Sequence, residues 1–126
     1  MTSAGLFSAF SSWSARLSVS ATLIALAAIS VASLSPVGSA GDPGSADKTM
    51  HVLAYALAVF PLAAVPPKPR LRITLGAIIW SGALELLQPL VGRTASFSDL
   101  MANATGVLLG LGLAALCRLI LVKAPS

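Results

Sequence analysis

Charge is scarce in this chain. Of 126 residues, 8 are Lys or Arg and 4 are Asp or Glu, so that 10% are charged. A soluble domain carries roughly 25% charged residues to keep its surface in water, and the shortfall excludes an ordinary soluble fold. Cysteine is nearly absent as well. Cys117 stands alone, which rules out an intramolecular disulfide, and with a single histidine there is no Cys/His zinc pattern. Aromatic residues make up 6%, and no basic patch is interleaved with them. A net charge of +4 and a pI near 10.0 therefore do not make a nucleic-acid footprint. No internal repeat is visible, and four short helices leave little room for the alternating access of a transporter.

What is present is apolar. Hydrophobic residues reach 56% and the mean hydropathy is +0.90, which suits one small membrane domain over residues 1–126. The sequence predicts an all-α membrane protein, a four-transmembrane-helix bundle with spans at about 17–34, 47–65, 73–91 and 99–122. Each approaches the ~20 residues that cross ~30 Å of hydrocarbon. Pro36 closes the first span, and Pro66 and Pro67 close the second. Ser35 to Ala46, rich in Gly, Ser, Pro and Ala, reads as an extramembrane loop. Upstream, Leu6, Phe10, Trp13 and Leu17 recur at helical spacing, which suits a short interfacial helix; a frayed tail fits the same residues. Gly38-Ser39-Ala40 resembles a signal-peptidase site, but the apolar run before it exceeds the roughly 7–15 residues of a signal core, so the first helix is expected to be retained.

Basic residues orient the bundle. Lys68, Arg70 and Arg72 crowd the second loop, which places that loop in the cytoplasm together with both termini, Arg16, Arg118 and Lys123. Lys48 and Arg93 fall on the opposite side with Asp42, Asp47 and Asp99.

The remaining polar residues cluster at that outer end. Asp47, His51 and Tyr55 are spaced by four and share a helix face. Glu85 and Gln88 are spaced by three, with Gly82 a turn earlier. Asp99, Asn103, Gly106 and Gly110 fall on one side of the last span. At 1.5 Å per residue, Tyr55, Glu85 and Asn103 lie at similar depths, roughly 6–12 Å below the helix ends. An ionisable group at such depth costs ~2.5–3.5 kcal/mol on insertion scales, so Glu85 needs a partner; Arg93, Lys48 and His51 are the candidates. Pro89 frees the Glu85 carbonyl.

Capping accounts for part of the pattern. Asp47 after Ser45, and Ser96-x-x-Asp99 before an apolar run, match helix starts. Gly106-x-x-x-Gly110 matches a close-packing motif. Trp80 is too deep for an interfacial belt, and Pro61 is expected to kink the second helix.

Taken in order, Asp47-Lys48-x-x-His51-x-x-x-Tyr55, Glu85-x-x-Gln88 and Arg93-x-x-Ser96-x-x-Asp99-x-x-x-Asn103-x-x-Gly106 resemble the VanZ-like family. These are small bacterial membrane proteins named for a member associated with resistance to the glycopeptide antibiotic teicoplanin. The resemblance runs from about Asp47 to Gly110, and it implies a multi-pass protein of the bacterial cytoplasmic (inner) membrane with a cell-envelope role. It implies no reaction.

Three function classes follow from the residues. An outward-facing pocket would recognise a cell-envelope or lipid-linked ligand, with Lys48 and Arg93 on phosphate and Glu85, Gln88 and Asn103 reading hydroxyl or amide groups. Asp47, Tyr55, Ser96 and Asp99 complete that ligand-binding set. A membrane enzyme would use Glu85 or His51 as general base and Arg93 or Lys48 against developing charge. A structural bundle would use the same groups to lock its helices. The expected partners are the lipid bilayer and a lipid-linked envelope precursor, not nucleic acid. No metal and no cofactor are expected, because a metal held by His51, Glu85 and Asp99 would draw one ligand from each of three helices, a weak pattern.

Overall fold

A computed structural model describes residues 3–35 and 45–123. Among the described residues there is no strand. Helix α1 covers Ser3–Leu34, α2 Ser45–Val59, α3 Pro67–Leu87 and α4 Phe97–Lys123, with 3-10 turns at Phe60–Ala64 and Gln88–Val91. The loop around Gly38-Ser39-Ala40 lies outside the described residues.

Among the described residues, three stretches are long and apolar enough to cross a membrane: Ser12–Leu34, Pro67–Val91 and Phe97–Ile120. The second expected span differs. Pro61 has no N–H to give the Leu57 carbonyl, so α2 stops after 15 residues and tightens into the 3-10 turn that carries the chain to Ala64.

Two other expectations are corrected. Lys68, Arg70 and Arg72 do not sit in a loop; they occupy the opening turns of α3, and Val65 and Pro66 are all that separates it from the 3-10 turn. Pro67 and Pro69 permit this, because the first N–H groups of a helix need no intrahelical partner. Nor is there a separate interfacial helix at the start. The backbone stays helical from Ser3 to Leu34 without a break, since no Pro or Gly interrupts it after Gly5.

Packing is the reverse of a soluble domain. Buried positions include Thr74, Ser81, Glu85, Gln88 and Asn103, whereas Leu57, Leu86, Leu90 and Leu108 are exposed. Small and polar residues inside with Leu outside is the pattern of helices solvated by lipid. The main contact is α2 along α4. It depends on glycine: a Cβ on Gly106 would meet the Val52 carbonyl and Tyr55 Cβ, and one on Gly110 would meet the Ala56 carbonyl and Val59 Cγ2. Tyr55, Val59 and Leu62 fill the seam with Val107 and Leu26. Helix α1 is the least buried of the three long apolar helices. A polar tie links it to α3, where Trp80 Nε1 donates to Ser30 Oγ at 2.8 Å.

Candidate functional site

The polar residues gather where α2 and α4 begin and α3 ends. Asp47 lies in the first turn of α2, and His51 follows one turn later with its Nε2 3.8 Å from Asp47 Oδ2. The other ring nitrogen, Nδ1, is 2.8 Å from Asn103 Oδ1 of α4. An amide oxygen only accepts, so Nδ1 carries the proton and donates it there. Asn103 is 2% exposed, so this bond is shielded and fixes the ring. Asp99, in the first turn of α4, faces the same pair: one ligand atom each from Asp47, His51 and Asp99 lie within 4.8 Å of one another.

Glu85 does something else. It sits in the last turn of α3, where its Oε2 accepts the Ser96 backbone N–H at 3.3 Å. With the Gln88 amide turned to satisfy both of its neighbours, its nitrogen donates to Glu85 Oε2 at 3.1 Å and to the Thr94 carbonyl at 3.2 Å. Glu85 and Gln88 therefore clamp the loop from Gly92 to Ser96, which Gly92 enters in the left-handed conformation (φ 77°). Ser96 in turn caps α4, its Oγ accepting the Asp99 N–H at 3.3 Å. Of the expected capping pair, the serine half is formed.

Among the described residues no Lys or Arg comes within ion-pair distance of Glu85. Arg93, His51 and Asp99 are instead close enough to act on it through their fields. Tyr55, a turn below His51 and 1% exposed, extends its hydroxyl toward Ser81 of α3. The residues thus form two joined groups: Asp47, His51, Asp99 and Asn103 between α2 and α4, and Glu85, Gln88 and Ser96 between α3 and its following loop.

A cleft of about 210 Å³ opens beside the first group, lined by Asp47, His51, Tyr55 and Arg93 and, from α1, by Ile29, Ala32 and Ser33. Lys48 is exposed and does not line it. The α1 wall has no signal in the sequence. Ser33 is one small residue in an apolar run, and nothing in its spacing ties it to α2.

The family model described as VanZ/LLP1 matches residues 4–118. That range takes in α1, which lies outside the polar motifs. No curated protein and no solved structure matches the chain.

Proposed function

Since the chain belongs to the VanZ/LLP1 family, we propose that it is a four-span protein of the bacterial cytoplasmic membrane whose outer cleft recognises the anionic headgroup of a lipid-linked envelope component. The 3-10 turn after α2 completes the fourth span, since Ser45–Val59 and Phe60–Ala64 together approach the ~20 residues required. The basic opening of α3 supports cytoplasmic placement of that end. Arg70 and Arg118 border one cleft there, so the cations of α3 and α4 gather at the same end of the bundle. Three cations at a helix start oppose its dipole, which makes topology a better reason for them than helix stability.

The observation that carries the reading is the cleft itself, with Arg93 on one wall, Asp47 and His51 on another, and an apolar wall from α1. A guanidinium suits phosphate, the carboxylate and imidazole suit hydroxyl or amide groups, and the apolar wall suits a lipid chain. Glu85 and Gln88 serve by holding the loop that carries Arg93. Lys48, being outside the cleft, adds charge at headgroup level.

One observation favours the structural alternative for a single residue: Glu85 Oε2 is already engaged by Ser96 and Gln88, which leaves it poorly placed to take a substrate proton. His51 is the better candidate base, because its Nε2 faces the cleft side with Asp47.

Binding of a polyisoprenyl phosphate to the full chain in nanodiscs tests the reading. Arg93→Gln removes one charge-assisted contact, worth ~1.5–3 kcal/mol, and should weaken binding about 10- to 100-fold. Lys68→Gln, at the other end, should leave it unchanged. Equal loss in both variants would mean that general charge, not the cleft, attracts the lipid.

A further inference from the structure

The Asp47, His51 and Asp99 cluster points to a second ligand, and we propose that it is a binding site for a divalent transition cation, with Zn²⁺ or Mn²⁺ the best fit. One ligand atom from each residue lies within 4.8 Å of the others. Ligands on bonds of ~2.0–2.2 Å are separated by roughly 3–3.5 Å, so the trio has to contract by about an ångström. Asp47, with a side chain 42% exposed, is the member with room to move.

Three further observations separate this cluster from helix capping. Asp99 does not complete the cap of α4, because the Ser96 N–H that its carboxylate would accept is donated to Glu85 Oε2. Among the described residues the Asp99 carboxylate makes no hydrogen bond, and no Lys or Arg lies within ion-pair distance of either aspartate. Two carboxylates thus face one imidazole with no Lys or Arg paired directly to either. Finally, His51 is prepared as a ligand. The buried Asn103 carbonyl takes the Nδ1 proton, which turns the Nε2 lone pair toward Asp47. A hydrogen bond on the far ring nitrogen is the usual outer support of a metal-bound histidine.

The donor set narrows the metal. Ca²⁺ and Mg²⁺ take oxygen ligands, whereas an imidazole with two carboxylates suits Zn²⁺ or Mn²⁺. Three protein ligands leave at least one coordination position open, and the adjoining cleft with Arg93 is where a phosphate or water oxygen would enter. Glu85 is not among the converging residues, and its Oε2 is held by the loop.

The site shares Asp47 and His51 with the proposed headgroup cleft, but its test needs no lipid. Full-length protein in detergent is stripped with chelator and titrated with Zn²⁺ against a chromophoric competitor, and thermal stability is followed in parallel. Saturable binding of one equivalent is expected. Asp99→Asn and His51→Gln should each weaken binding at least tenfold, and Asn103→Ala by about 10- to 100-fold. Asp47→Asn alters a half-exposed side chain and so tests a ligand with little risk to folding. It should also abolish the Zn²⁺-dependent rise in melting temperature. No saturable binding by the wild-type chain, or binding by Asp47→Asn and Asp99→Asn equal to wild type, overturns the proposal.

Discussion

Gly106→Val should separate α2 from α4 and lower the unfolding free energy by about 3 kcal/mol or more. The Cβ position at Gly106 is already taken by the Val52 carbonyl and Tyr55 Cβ. The added volume meets backbone and the Cβ of buried Tyr55, neither of which can rotate away, and overpacking of this kind typically costs ~1–3 kcal/mol even where side chains can shift. The same displacement pulls Asn103, less than a turn from Gly106, off His51. Gly110→Val should behave alike, because Ala56 and Val59 block its Cβ. Gly112 is the control. Nothing lies within 4 Å of its Cβ position, so Gly112→Ala should be neutral or stabilise by up to ~1 kcal/mol through helix propensity. Unfolding of the three variants in mixed micelles checks the ranking. Equal effects at Gly106 and Gly112 would remove the close α2–α4 approach from the account.

Two substitutions at Glu85 should part company. Glu85→Ala strips the Ser96 N–H and the Gln88 amide of their shared acceptor, and a buried group left unsatisfied costs ~1–3 kcal/mol. The Gly92 to Ser96 loop should loosen, and affinity for phosphate lipid should fall with stability because Arg93 rides on that loop. Glu85→Gln keeps a carbonyl acceptor for Ser96 and removes a negative charge near Arg93. It should fold like the parent and bind the anion as well or more tightly. Thermal melts and nanodisc titrations on both variants distinguish the outcomes. A Gln variant as unstable as the Ala variant would mean that the charge itself holds the loop, and a folded Gln variant that binds but no longer acts would restore Glu85 as a chemical group.

The site is most legible in the sequence where helical spacing alone fixes which residues share a face. Asp47 and His51 at i, i+4 do face one another, and the glycines of α4 do admit α2, because periodicity alone places residues on a face. The fold is less legible where proline has two meanings. Pro67 has the look of a span's end but opens α3, with Pro69 in the same turn, since proline is tolerated in a first turn as readily as it blocks an interior. The same ambiguity moved Lys68, Arg70 and Arg72 from loop to helix. Pro61 does not kink a continuous second helix; α2 ends before it and a 3-10 turn takes over. Pairing across helices was only half legible. Depth matching brought Glu85 near His51 and Asp99, but it did not reveal that a backbone N–H of the next loop would occupy the carboxylate. A partner supplied by main chain carries no residue-type signal. Ser33 of α1 carries no signal either, being one small residue in an apolar run.

The most direct test of an outward-facing headgroup cleft is the reactivity of a cysteine placed inside it. In a Cys117→Ser background, Ser33→Cys puts one thiol on the cleft wall opposite Asp47 and His51. On intact cells a membrane-impermeant maleimide should label it, and a soluble short-chain polyisoprenyl phosphate should slow the labelling. Pro69→Cys, at the basic start of α3, should react only after permeabilisation. A Ser33→Cys thiol that reacts only once the membrane is opened, or one whose labelling from outside is indifferent to the phosphate probe, would contradict the account.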